Sequence, residues 1–161
     1  MKIRFLPSCA AALLVMACSQ TPRVHVDPET GRADVDVEPA GLEAEEWTGG
    51  VRGLGQWSRM SGTVTAHVGS DMTDVEVSVT GAPDGPRIPW HVHEGTCAEP
   101  MGPIVGPPSA YEPLTVSPGG MARGRAQLAG VQLNEARQYH VNFHRSPTEM
   151  ATIIACAELD D

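Results

Sequence analysis

Positive charge is scarce in this 161-residue chain: 11 Lys and Arg stand against 20 Asp and Glu, and the one lysine is Lys2. A net charge of −9 has the wrong sign to neutralise phosphates, which excludes nucleic-acid binding. No run of 18 apolar residues occurs, so no membrane-spanning helix is expected after processing. The chain also lacks a nucleophile elbow, a phosphate-binding loop and a dinucleotide fingerprint. Aromatics make up only 4%, whereas Gly (17) and Pro (14) are plentiful. That is a turn-rich composition, poor for long helices and suited to many short strands.

The first residues read as an export signal. Lys2 and Arg4 precede an apolar run, Cys9 to Ala17, too short to span a bilayer but right for a signal-peptide core. It ends in Val15-Met16-Ala17-Cys18-Ser19, which resembles the lipobox of bacterial lipoproteins. That resemblance implies cleavage before Cys18, a diacylglyceride on its thiol, and a periplasmic or outer-membrane-anchored protein, with Ser19 not retaining it at the inner membrane. The alternative is an ordinary signal peptide cut near Ala17, with Cys18 incidental. Removal of residues 1–17 leaves nine arginines, no lysine and twenty acids, a net of −11. Cys97 and Cys156 are then the remaining free cysteines in a compartment that permits disulfides. They would either bridge, closing a loop of about 60 residues, or stay as buried thiols.

Residues 18–55 form an acidic segment read as a solvated tether, since like charges extend a linker. Short alternating runs at Val24–Asp27 and Ala33–Glu38 also allow a hairpin there. From 56 to 161 strict alternation takes over, in Thr63–Val68, Asp74–Thr80, Trp90–Glu94, Leu114–Val116, Ala122–Leu128, Gln138–His144 and Ala151–Leu159. Period two broken by Gly/Pro turns predicts an all-β antiparallel sandwich or barrel.

Within Trp90–Glu94, His91 and His93 share one face opposite Val92. Within Tyr139–His144, His140, Asn142 and His144 share a face opposite Tyr139, Val141 and Phe143. The histidines are therefore expected on a solvent-facing side. Two of them at i, i+2 on one strand lie about 7 Å apart at Cα, so their rings can converge on one ion. His144 at a strand end is the expected third ligand, and three imidazoles with an open position suit copper or zinc. His140 and His144 lie about 13 Å apart along the strand, so His140 is read as a surface residue or a support for a ligand. His67 is a candidate fourth ligand or simply exposed, and Asn142 a candidate partner that orients an imidazole. Glu94 is expected at a turn and partly exposed. Met101, Met121 and Met150 are soft donors or core residues.

Val75–Gly81, Trp90-His-Val-His-Glu94, Gly95, Cys97, Val141-Asn-Phe-His144 and Ile154-Ala-Cys-Ala157 together resemble the copper/zinc superoxide dismutases. The resemblance spans roughly Gly62 to Leu159. It implies an eight-stranded Greek-key barrel, a copper site of His91, His93 and His144 serving catalysis, and a Cys97–Cys156 disulfide. The chain departs from that family in three ways. The loop after Cys97 (Ala98–Ala110) has no His, so zinc at the family position is not expected. Ile153 stands where the family has an active-site Arg, with Arg145 elsewhere. Lysine-rich guidance of superoxide is missing, and the negative net charge repels an anion. Three readings follow: a copper protein dismuting superoxide without zinc, a periplasmic copper-binding or buffering protein, and a metal-free interaction domain. The partners implied are superoxide or copper ion, and a membrane through lipid on Cys18. If the lipobox is real, Cys18→Ala moves the protein from the membrane to the soluble fraction on fractionation; retention in the membrane would overturn that expectation.

Overall fold

The structure, a computed structural model, describes residues 23–26, 33–36, 45–85 and 87–161. The expected signal segment 1–17, Cys18 and residues 19–22, 27–32 and 37–44 of the tether lie outside them. Strands β1 (Arg23–Val26) and β2 (Ala33–Asp36) pair antiparallel, with Arg23 opposite Asp36 and Val26 opposite Ala33. The two alternating runs of the acidic segment thus pair with each other.

The main sheet starts earlier than the expected boundary at residue 56. β3 (Glu45–Gly53) pairs along its length with β4 (Ser61–Val68) and at its end with β9 (Ile153–Leu159). Its alternation is hidden because Gly49 and Gly50 interrupt it and Glu45 and Glu46 are exposed; Trp47 and Val51 are its inward residues. Gly49 is required by close approach, since a Cβ there would meet the Glu158 carbonyl oxygen at 2.1 Å.

With β5 (Met72–Thr80), β6 (Trp90–Glu94), β7 (Ala122–Ala129) and β8 (Tyr139–His144), the order across the sheet is β6-β8-β9-β3-β4-β5-β7. All pairings are antiparallel, and the seven strands curl into a half-barrel. The β5–β6, β6–β7 and β7–β8 connections each join strands on opposite sides of the sheet, the crossing pattern of a Greek-key arrangement. Leu114–Val116, expected as a strand, supplies a single bridge from Leu114 to Ile88.

Alternation decides which way each strand faces. Val64 and Ala66 of β4, Val75, Val77 and Val79 of β5, and Ala126 and Leu128 of β7 are buried, each larger side chain contributing about 1.5–3 kcal/mol of apolar burial. The scarce aromatics collect at the other end. Trp90, Tyr139 and Phe143 are buried on β6 and β8, with Trp47 edge-on to Tyr139 and Trp90 edge-on to Tyr111.

Cys97 and Cys156 are joined in a disulfide, 59 residues apart in sequence. It ties the loop that follows β6 to the middle of β9, where Cys156 lies opposite Asn142 of β8. Closing a loop of this length stabilises by about 4 kcal/mol in the chain-entropy view. Reduction should therefore lower the melting temperature by on the order of 10 °C; a melt unchanged by reductant would show that the bridge contributes nothing.

Candidate metal centre

β6 and β8 lie side by side with Trp90 opposite Phe143, His91 opposite Asn142, Val92 opposite Val141 and His93 opposite His140. The apolar members fill the core. The polar members were expected in solvent, and this is corrected: His91, His93, His140, Asn142 and His144 are all buried, none more than 7% exposed. The cause is the loop from Gly95 to Pro113, which folds back across their face. Its Val105 N–H donates to the Val92 carbonyl (2.9 Å), and the Glu94 N–H donates to the Pro103 carbonyl (3.0 Å). Tyr111 closes the far side, its hydroxyl donating to the Val105 carbonyl at 2.6 Å and its ring edge-on to His91.

Under that loop the three expected ligands meet. One nitrogen from each of His91, His93 and His144 lies within 4.8 Å of the others. His91 Nδ1 faces His144 Nε2 at 3.4 Å. Two nitrogens bound at about 2.0–2.1 Å around one tetrahedral ion stand about 3.3–3.4 Å apart, so the spacing suits a shared ion. His93 Nδ1 lies 2.7 Å from the Gly102 carbonyl, to which it donates. That leaves Nε2 as the ligating nitrogen, and Nε2 is buried without a partner. A buried, orphaned acceptor is costly, and a metal ion would relieve the cost. The carbonyl that fixes this tautomer sits where only glycine fits: a Cβ on Gly102 would meet the Glu94 carbonyl oxygen at 1.7 Å. The residues present therefore fit a single metal ion held by three imidazoles.

His140 is not a surface residue. It is fully buried, its ring stacked on that of His93 at 5.4 Å, and its Nε2 lies beside both the Asn142 amide and the Pro100 carbonyl. His67 takes no part; it is half-exposed and pairs with Glu46 at 3.5 Å. Glu94, partly exposed as expected, is engaged by Arg137. Met101, Met121 and Met150 are exposed rather than in the core. Arg145 pairs with Glu149 and lies over Trp57, while Ile153 faces His144 across the β8–β9 ladder. Among the described residues the other group of potential ligands, Glu45, Glu135 and Asp161, consists of exposed carboxylates. The loop carbonyls of Pro100 and Gly102 and the ring of Tyr111 escaped the sequence reading, because backbone oxygens carry no side-chain signal. The hint was Gly102 itself, the glycine of Pro100-Met-Gly-Pro103.

Burial is the main cause of the electrostatics here. It holds His91 down to about 4, with repulsion from His144 and then His93 adding to the effect. His93 and His144 are lowered in the same sense, again chiefly by burial. Burial likewise pushes the Tyr111 hydroxyl up. All three imidazoles are thus held neutral, the form that binds metal.

No known family model matches the chain, and no curated protein matches it significantly. What can be said of the site rests on its own residues.

Because the folded state lowers these histidines below their ordinary value, the unfolded chain takes up protons first as pH falls. The metal-free protein should therefore lose stability between about pH 6.5 and 4, measured as a falling melting temperature. A melt flat across that range would contradict the burial of these rings.

Proposed function

We propose that the protein is an exported copper-binding protein of the superoxide dismutase type, with one copper held by His91, His93 and His144. The observation that carries this is the convergence of three neutral, buried imidazole nitrogens within 4.8 Å. Imidazole suits copper, zinc, iron and nickel alike, and copper is chosen on the resemblance of the HxHE, FH and ACA segments. Bound there, copper would supply one-electron chemistry, oxidising one superoxide to dioxygen and reducing a second, with two protons, to hydrogen peroxide.

The chain's own contributions are positional. Gly102 orients His93, Tyr111 and the loop exclude bulk water from one side, and burial keeps the imidazoles deprotonated at neutral pH. Glu94 is held by Arg137, which leaves solvent as the source of the protons. A specific observation favours the second reading, copper binding with slow or no turnover: Ile153 is apolar opposite His144, and Arg145 is turned to Glu149 and Trp57. No arginine is thereby placed to draw an anion to His144 from either position.

Export and lipid attachment through Cys18 belong to the same proposal and rest on the signal-like start of the sequence. The test is metal content of the chain exported to an oxidising periplasm with added copper, followed by a superoxide assay. One copper per chain is expected, lost in His93→Ala. Unchanged stoichiometry in the variant would overturn the site, and bound copper without superoxide turnover would select the binding protein.

A further inference from the structure

The polar face of β6 and β8 holds two side chains that the metal centre does not use as ligands. His140 and Asn142 are 0% and 1% exposed, and each stands directly across the ladder from a ligand, His140 from His93 and Asn142 from His91. Burying an amide and an imidazole is costly unless they are hydrogen-bonded. Here both lie at the same carbonyl oxygen, while His140 Nδ1 and Asn142 Oδ1 are left without a partner among the described residues. Asn142 Nδ2 donates to the Pro100 carbonyl at 2.7 Å, and His140 Nε2 lies 3.4 Å from that oxygen and 3.3 Å from the Asn142 amide.

Pro100 opens a short strap, Pro100-Met101-Gly102. Its two outer carbonyls turn inward, one to Asn142 and one to His93 Nδ1, while the Met101 side chain is 80% exposed. Before the strap the chain is fixed by the disulfide at Cys97, whose N–H also donates to Glu158. After it the backbone ladder to β6 resumes at Pro103. Between those two anchors Asn142 of β8 grips the first carbonyl, with the His140 ring beside it, and His93 uses the second.

We propose that Asn142 and His140 are positioning residues: Asn142 clasps the Pro100 carbonyl, His140 packs between it and the His93 ring, and the clasped strap holds the Gly102 carbonyl where it fixes the tautomer of His93. The stacked His140 ring limits how His93 can tilt, and Asn142 sets the height of the strap above it. The effect on copper affinity rests on the metal-centre reading; the effect on the His93 tautomer does not.

The test therefore has two arms. In the metal-free exported chain, long-range proton–nitrogen correlation spectra report which nitrogen of His93 carries the proton. The wild type is expected in the single Nδ1–H form, and a wild-type Nε2–H form would overturn the proposal without any variant. Asn142→Leu, which keeps the approximate shape and removes the donor, should leave His93 in a mixture of tautomers. Asn142→Ser makes the same comparison without added apolar bulk, should the leucine variant fail to fold. In the second arm, copper affinity should fall about 10–100-fold with the tautomer change, the size of effect seen when a ligand's hydrogen-bond partner is lost. A folded variant with a lowered melting temperature but an unchanged His93 tautomer would overturn the proposal, since that is all a merely structural residue would do. If the wild type binds no copper while the variant releases the tautomer, the metal centre fails and the strap stands.

Discussion

The Gly102 carbonyl reaches His93 Nδ1 because the loop after β6 folds back over the polar face of β6 and β8 and is held there. Without that cover the five polar residues of the two strands would be ordinary solvent-facing groups. With it they are desolvated, the protonated forms of His91, His93 and His144 are disfavoured, and each nitrogen must find a partner or go without. His93 Nε2 goes without, at the point where two other imidazoles converge. The disulfide, the absence of a side chain at Gly102 and the Tyr111 hydroxyl all act on the same loop. Each keeps a row of imidazoles dry and pre-aimed.

Preorganisation of this kind matters more for a redox metal than for a structural one. A fixed set of three nitrogens does not need to rearrange when the charge on a bound ion changes, and the surrounding burial raises the influence of every nearby dipole. Among the described residues Arg145, next to His144, is turned to Glu149 and Trp57 rather than to the site. The residues flanking His144 are apolar or already paired, so the arrangement is better built for holding a cation than for attracting an anion.

Much of this was legible in the sequence, for reasons that differ from element to element. The strands at Thr63–Val68, Asp74–Thr80 and Tyr139–His144 announce themselves because each has one wet or polar face and one dry face. β3 does not, since two glycines and two exposed acids break its pattern. The choice of His91, His93 and His144 followed from i, i+2 spacing and a strand end. Their burial could not follow, because alternation reports which side chains share a face but not what later crosses that face. The same gap left His140 undecided between a surface residue and a support for a ligand. A strand with buried residues on both faces looks, in sequence, like an amphipathic strand with one face in water.

The ligands also carry a consequence for how the protein is made. His91 and His144 are 53 residues apart, on strands that become neighbours only when the C-terminal third of the chain has threaded back beside β6. Contacts of that separation are slow to form. A chain still being synthesised therefore exposes His91 and His93 as a two-nitrogen fragment well before the third arrives. Metal met at that stage would be held loosely at first and gripped only as the final hairpin locks, so the completed grip is itself a report that the chain has finished folding.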